Sequence, residues 1–215
     1  MSSMSFCIGG FLKSDRSSRW ARSRRTGCPI RATFRIDMIE DYRVPGHDEP
    51  GYRFCPRCGA TLHSRLLKAG EPERLVCERC EYVFYLDPKV AVGTIIANDD
   101  GQVLLVRRAI EPGYGKWVFP GGYVDRGEPV HLAAIREARE ECGIEVRLDH
   151  LLDVYSYAGR TPVVIVYAAT MTGGVIACDD EGLEARFFGP ESIPWEELAF
   201  ASTHEALRAF LARRR

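Results

Sequence analysis

The sequence lacks any apolar run near the roughly 20 residues that a membrane-spanning helix requires. Its longest apolar stretch, Val163 to Thr170, is only as long as a strand. Internal repeats and low-complexity segments are also missing from the body of the chain. These absences exclude a helical membrane protein and a repeat solenoid. The hydrophobic fraction of 46% is typical of a packed globular protein.

Acidic residues are almost missing from the first 36 residues, which carry eight basic residues and one acid, Asp15. The rest of the chain carries 21 basic and 29 acidic residues. We therefore expect residues 1–37 to be a disordered basic tail, with a transit peptide or an upstream start before Met38 as alternatives. The acidic remainder argues against a large nucleic-acid-binding surface and favours a site that collects cations.

The eight cysteines are not arranged as the disulfide framework of a small secreted domain. Four of them stand in two Cys-x-x-Cys pairs that are separated by 18 residues. This spacing predicts a tetrahedral zinc site, which would be structural because four thiolates leave no open position. The predicted ligands are Cys55, Cys58, Cys77 and Cys80. His47 and His63 are alternative ligands that we expect to lie at the surface. A reducing, cytoplasmic compartment follows, with an organelle as the alternative if the tail is a transit peptide.

The pattern of the remaining chain predicts a zinc module over residues 38–86 and an α/β domain over residues 87–215. Asn98 to Gly101 predicts a hairpin turn, and a helix is expected from Val130 to Cys142, ending at Gly143. A last helix is expected near Ser202, where Ser202 and Glu205 have the spacing of a capping box. The strand candidates are Val90–Ala97, Val103–Arg107, Leu151–Tyr157, Val163–Met171 and Glu184–Phe188.

The stretch from Gly121 to Ile144 carries the most informative pattern in the chain. On a helix, Glu137, Glu140 and Glu141 share one face, whereas Arg136 and Arg139 are expected to point elsewhere. Like charges at this spacing repel one another, and a hard divalent cation with oxygen ligands offsets that repulsion. Before the helix, Gly121-Gly122 is expected to form a flexible turn, and Pro129 and Glu128 suit the first helical turn.

These residues match the Nudix box at every fixed position, from Gly122 through Glu128 and Arg136-Glu137-Ala138-Arg139-Glu140-Glu141 to Gly143-Ile144. The chain therefore resembles the Nudix hydrolases. With the cysteine pairs in front, it is similar to their zinc-ribbon subgroup, which includes bacterial members and plant plastid FAD/ADP-ribose pyrophosphatases. The resemblance implies an α/β sandwich, with a mixed sheet between helices and a small four-cysteine zinc ribbon before it.

The resemblance also implies roles for individual residues. Glu137, Glu140 and Glu141 would bind catalytic Mg²⁺, with Mn²⁺ as an alternative. Glu128 would support the metal site, Arg136 would orient the glutamates, and the backbone of Gly122 would approach a metal or phosphate. Glu137 or Glu141 is the first choice for general base. Because some members use a glutamate from a later loop, the runners-up are Asp180, Glu181 and Glu184.

The implied reaction is attack of water on the diphosphate of a nucleotide, most simply ADP-ribose or FAD, to give AMP and a phosphorylated product. The alternatives are a pyrophosphatase for NADH or an NAD-type RNA cap, and a nucleotide sensor that does not cut its ligand. A homodimer is compatible with the resemblance, whereas nucleic-acid and membrane partners are not expected. Aromatic rings stack on bases and arginines hold phosphates, although core packing is the alternative for each ring. The candidates are Tyr114, Trp117, Tyr157, Arg107 and Arg160.

Overall fold

The computed structural model describes residues 51–213, so the predicted tail, His47 and the start of the predicted zinc module lie outside it. The described part begins with a small antiparallel sheet in the order β1-β2-β3. Its strands are β1 (Leu62–Arg65), β2 (Arg74–Cys77) and β3 (Val83–Phe84). Cys55, Ala60, Leu62 and Cys77 form its buried centre. This sheet surrounds the cysteine pairs.

A seven-stranded mixed sheet follows, with the main order β10-β5-β4-β9-β8. β4 and β9 run parallel and the other pairs are antiparallel. β6 pairs with β5 and β7 pairs with β4, so the chain between them crosses from one strand to the other. The strands are β4 (Lys89–Ala97), β5 (Val103–Arg108), β6 (Trp117–Val118), β7 (Gly121–Tyr123), β8 (Ile144–Tyr155), β9 (Pro162–Gly174) and β10 (Gly182–Phe188).

The sheet lies between two helices, α1 (Val130–Cys142) and α2 (Ala201–Arg213). Neighbouring residues of β4 show this, because Ile95 packs in a cluster with Leu207 of α2 and Ile96 packs in a cluster with Ala138 of α1. Side chains alternate between the two faces of a strand, so each face carries its own core. The predicted α/β sandwich with a mixed sheet between helices is confirmed. In the described part of the chain, no helix is long and apolar enough to cross a membrane.

The expected bounds of α1 and the Asn98–Gly101 turn agree with the structure, where Gly101 N–H donates to Asn98 O at 3.0 Å. The strand expected from Leu151 is longer, because β8 already begins at Ile144. Its pairing with β9 shifts register at three places. Such bulges break the alternation of buried and exposed residues, which hid the first half of the strand from the sequence pattern.

The capping box expected at α2 is wrong. Ser202 and Glu205 both lie inside the helix, and the carbonyl of Phe200 accepts the N–H groups of Thr203 and His204 at its start. Ser202 is buried, and Glu205 accepts a hydrogen bond from the hydroxyl of Tyr157 at 3.2 Å. Tertiary packing therefore moved the helix start by one turn position relative to the local signal.

Strand register brings several loops to one end of the large sheet. Lys89 is opposite Pro162, Tyr123 is opposite Ala91, and Gly182 is opposite Arg108. The hairpin at residues 98–102 closes the opposite end. The loops at residues 109–116, 124–129, 156–161 and 175–181 therefore surround the end of the sheet where β7 meets β4.

Candidate active site and cysteine cluster

Three glutamates of α1 form the acidic face that the sequence pattern describes. Glu137 is almost fully buried at 9% exposure, whereas 56% of the Glu140 side chain is exposed. Ala134 and Ala138 are fully buried on the same helix and bring its backbone close to the sheet. The small alanines thus seat α1 deeply enough to bury part of its acidic face.

The short strand β7 holds two of these carboxylates. Gly121 N–H donates to Glu141 Oε2 at 2.8 Å. A Cβ at Gly122 would lie 2.6 Å from Glu137 Oε1, so only glycine leaves room for that carboxylate. We name residues Gly121–Gly122 the glycine strap. The expectation that these glycines form a flexible turn is wrong, because they are paired with β4 as a strand.

Arg136 is the counter-charge of the acidic face. Its Nη1 donates to Glu137 Oε1 at 2.8 Å and to Glu140 Oε2 at 2.9 Å. Its Nε and Nη2 bind both oxygens of Glu128 at 2.8 Å, and Nη2 also donates to Tyr123 O. The residue-based expectation that Arg136 points away from the glutamates is wrong. A guanidinium has five donors, which explains how one side chain serves three carboxylates.

Glu128 and Pro129 do not lie in the first turn of α1, as the sequence pattern suggested. Pro129 is the residue before the helix, in an extended conformation, and Glu128 precedes it. Glu128 accepts the N–H of Asp125 at 3.1 Å besides its two bonds from Arg136. The ion pair with Arg136, rather than the helix dipole, therefore fixes the position of this carboxylate.

The carboxylates of the site have strongly different affinities for protons. Burial raises the pKa of Glu141 to about 8, against the opposing hydrogen bond from Gly121, and the charges of Glu137, Asp179 and Glu181 add to the rise. Burial also raises the pKa of Glu137, although Arg136 opposes the shift. Hydrogen bonding from Arg136 lowers the pKa of Glu128 to about 2. Perturbed carboxyl groups in one cluster are typical of functional sites.

The loop before β10 brings a second group of acids to Glu141. The charges of Asp179 and Glu181 both act on it. Glu181 O accepts Ala109 N–H at 2.7 Å, which ties this loop to the one after β5. The runner-up Glu184 pairs with Arg186 at 3.5 Å, and Asp180 is exposed. Asp179 was missed by the sequence analysis, although it begins the acidic run that supplied the runners-up.

The candidate substrate residues do not form one cluster. Trp117 is 3% exposed, and its ring packs edge-on against Phe188 beneath the guanidinium of Arg186. It is a core residue, so the expectation that it stacks on a base is corrected. Tyr114 is exposed in the loop after β5, where Arg107 Nε donates to Gly115 O. Tyr157 bonds to Glu205, and Arg160 is exposed in the loop after β8. These four remain at the end of the sheet that carries the glycine strap.

The four predicted zinc ligands converge in the small sheet. Their sulfur atoms all lie within 4.8 Å of one another, with Cys58–Cys77 at 3.4 Å and Cys55–Cys80 at 3.7 Å. Sulfurs around tetrahedral zinc are about 3.8 Å apart, given a Zn–S bond of about 2.3 Å. His63 instead contacts Glu78 at 3.1 Å. The donor set therefore fits a structural zinc ion.

Backbone groups prepare the cysteines for a cation. The N–H groups of Cys80 and Arg79 lie 3.4 Å from Cys77 Sγ, and the hydrogen bond from Cys80 lowers the pKa of Cys77 to about 6. Thiolates are the form that binds zinc. Among residues 51–213, these cysteines form the one group of three or more such ligand atoms within 4.8 Å. The oxygens of the three glutamates on α1 are therefore further apart, held by Arg136 and the glycine strap.

Comparison with known families assigns both parts of the chain. The NUDIX domain family matches residues 87–211, and a zinc-ribbon family described as Nudix N-terminal matches residues 53–86. An ADP-ribose pyrophosphatase from Methanocaldococcus jannaschii is 39% identical over 124 residues, which are 56% of this chain and 72% of that protein. The NAD-capped RNA hydrolase NudC of Stutzerimonas stutzeri is 28% identical over 164 residues, 76% of this chain. That match spans only 57% of the NudC protein.

Solved structures share the fold. A NUDIX hydrolase from Nitrosomonas europaea superposes with a TM-score of 0.71 at 33% identity, over 75% of this chain and 92% of that one. A MutT NUDIX hydrolase from Burkholderia pseudomallei has a TM-score of 0.52 at 32% identity, over 58% and 98%. The broader match to the first structure spans more of this chain than the NUDIX domain alone.

The cysteine cluster predicts about one zinc per chain by elemental analysis. Replacing Cys58 by Ser is expected to remove most of the zinc and to lower the thermal unfolding midpoint, because metal binding supplies folding energy to so small a core. Cys178→Ser is the matched control, since Cys178 lies outside the cluster and should keep the zinc. A zinc-free protein with an unchanged midpoint would contradict the assignment.

The Glu128–Arg136 pair predicts a defined pH dependence of stability. A carboxylate with a lowered pKa stabilises the fold above its ordinary pKa of 4.5, and that contribution is lost as the pH falls toward about 2. The difference in unfolding free energy between wild type and Glu128→Gln should therefore shrink across this range. Urea unfolding at steps between the two pH values measures it. In an Arg136→Leu background the same replacement should show almost no such dependence, and an equal dependence there would contradict the pairing.

Proposed function

The chain belongs to the Nudix family, whose domain covers more than half of its 215 residues, and from this premise we propose a magnesium-dependent diphosphate hydrolase. The proposed substrate is an ADP-linked diphosphate such as ADP-ribose or FAD. The proposed products are AMP and a phosphorylated partner. The observation that carries this proposal is the acidic face of α1, where Glu137 and Glu141 contact a strand without side chains and Arg136 supplies the counter-charge.

We assign the catalytic cation to Glu137, Glu140 and Glu141, with Glu128 and the backbone of Gly122 supporting the site. Carboxylate oxygens are the ligands that Mg²⁺ prefers, and Mn²⁺ accepts the same set. When bound, such ions neutralise diphosphate oxygens and lower the pKa of bound water. Arg136 engages one oxygen each of Glu137 and Glu140, which holds both carboxylates in position. Repulsion among the three acids favours uptake of a cation.

Glu141 is our first choice for the group that accepts the proton from the attacking water, with Glu137 as the alternative. Its pKa of about 8 lies close to neutrality, where a general base is efficient. Gly121 N–H fixes Glu141 Oε2 and leaves the orientation of the carboxylate defined. Asp179 and Glu181 act on the same carboxyl group, and Glu181 is the alternative base from a later loop.

ADP-linked substrates are supported by the similarity to a protein named ADP-ribose pyrophosphatase, which is 39% identical over 124 residues. We assign phosphate contacts to Arg107 and Arg160 and base contacts to Tyr114 and Tyr157, because their loops surround the end of the sheet that carries the glycine strap. The loops are separate chain segments, so substrate choice can differ between members while the acidic face is kept.

A second candidate is hydrolysis of NADH or an NAD-type RNA cap. The similarity to a NAD-capped RNA hydrolase extends over 76% of this chain, beyond the length of the Nudix domain. In the residues after the box, however, the chain reads Val154 to Pro162 without the Ser-Gln-Pro-Trp-Pro-Phe-Pro type of motif found in zinc-ribbon NADH pyrophosphatases. We therefore rank this substrate second, and a sensor that does not cut its ligand third.

We also retain the proposed organisation of a basic tail over residues 1–37, a zinc ribbon over residues 38–86 and a hydrolase domain over residues 87–215. The role of the ribbon is proposed to be structural or dimer-forming. Its cysteines lie in a separate small core, away from the acidic helix in sequence.

A substrate panel with Mg²⁺ tests the proposal directly. ADP-ribose, FAD, NADH, diadenosine polyphosphates and nucleoside triphosphates are incubated with the full chain, and AMP release is measured by chromatography. We expect ADP-ribose or FAD to give the highest kcat/KM. Faster cleavage of NADH would replace our first choice by the second candidate. Binding of a nucleotide that is released uncut would identify a sensor.

Replacing Glu140 by Gln is expected to lower turnover about 100-fold or more, the scale of losing one charge-stabilising group. The neutral amide weakens cation binding, while the exposed position leaves the fold intact. Glu145→Gln is the matched control, because Glu145 pairs with Arg139 outside the acidic face and should retain turnover. Steady-state kinetics with thermal unfolding measure both effects. Wild-type turnover in Glu140→Gln would remove this residue from the metal site.

A further inference from the structure

Two glycines on neighbouring strands lie against each other beneath the acidic face. Gly93 of β4 is directly opposite Gly121 of β7, and Val92 is opposite Gly122. A Cβ at Gly121 would lie 2.2 Å from Val92 O and 2.6 Å from Gly93 Cα. The two backbones therefore approach more closely than any side chain at Gly121 would allow.

The ring of Phe119 covers the other side of Gly93. A Cβ at Gly93 would lie 2.1 Å from Cε2 of that ring and 2.5 Å from Cδ2. Phe119 is 5% exposed and belongs to the same core cluster as Ile95 and Leu105. Neither the ring nor the strand has free space, so an added methyl group would displace one of them.

The backbone next to Phe119 is also fixed to β4. Thr94 N–H donates to Pro120 O at 2.9 Å, immediately before the glycine strap. The strap in turn contacts both buried carboxylates, through Gly121 N–H to Glu141 and through Gly122, whose Cβ would lie 2.7 Å from the carboxyl carbon of Glu137. A shift of Phe119 or Gly93 is therefore transmitted to Glu137 and Glu141.

We propose that Gly93 and Phe119 are positioning residues, which set the distance of the glycine strap from Glu137 and Glu141. Neither residue touches a carboxylate, and both lie outside the stretch from Gly122 to Ile144. They act by allowing β7 to lie flat on β4, so that the strap meets the acidic face. This inference rests on the proposed function, because it assigns a purpose to the placement of two proposed cation ligands.

Gly93→Ala tests the proposal in the full chain. We expect the affinity for Mn²⁺, measured without substrate by electron paramagnetic resonance, to fall about 10- to 100-fold, the scale of losing support around a metal ligand. We expect kcat to fall about 100-fold, the effect of a misplacement near 1 Å, while KM changes far less because the substrate loops are not altered. Gly173→Ala is the matched control, since this strand glycine has no atom within 4 Å of an added Cβ.

A rescue variant separates positioning from general damage. In Gly93→Ala/Phe119→Leu the smaller side chain leaves room for the added methyl, so Mn²⁺ should bind more tightly than in Gly93→Ala alone. Such non-additivity is the mark of two residues in contact. A double variant that binds no better than the single one overturns the proposal.

The remaining outcomes are equally decisive. Wild-type Mn²⁺ affinity in a folded Gly93→Ala protein overturns the proposal while leaving the proposed function intact. If Gly93→Ala does not fold, Phe119→Leu alone decides, with about 10-fold weaker Mn²⁺ binding expected and unchanged binding contradicting us. If the wild-type protein itself binds no Mn²⁺, the proposed metal site fails first and this inference fails with it.

Discussion

Electrostatic repulsion among the carboxylates of α1 is the constraint on which the rest of the site depends. Glu137, Glu140 and Glu141 occupy one helical face, and Glu137 and Glu141 are also withdrawn from water, which disfavours their charged form. Arg136 offsets part of that repulsion and orders the two carboxylates it contacts. The remaining imbalance appears as the raised pKa of Glu141, a group prepared either to keep a proton or to exchange it for a cation.

The large sheet makes this arrangement possible by bringing bare backbone to the helix. β4 and β5 pair directly only beside the hairpin, and β6 and β7 occupy the space where they part. The strap on β7 can then donate an N–H to Glu141 without a side chain intervening. The helix meets it because Ala133, Ala134 and Ala138 are fully buried and small. Packing density, strand pairing and charge thus act on the same few atoms.

The zinc ribbon solves a different problem. Its core consists of few residues, four of which are the cysteines themselves or their partly buried partners. A core of that size does not by itself offset the entropy of an ordered chain, so a metal cross-link is the physical route to a fixed structure. The four sulfurs already lie at distances suited to a tetrahedral ion. The ribbon and the acidic helix therefore rely on cations of opposite character, one bound by soft thiolates and the other by hard oxygens.

Local patterns in the sequence determined the bounds of α1, the hairpin, the four cysteines and the acidic face, because helical periodicity, turn chemistry and ligand spacing act over a few residues. They did not determine that Arg136 turns toward the glutamates, that Trp117 is a core residue, or that Gly121 and Gly122 form a strand. They also placed a helix cap at Ser202 and missed the first half of β8 and the proximity of Asp179 to Glu141. Each of these depends on which distant segments come into contact. Burial, strand register and charge proximity arise only when the chain has folded, so tertiary structure alone decided them.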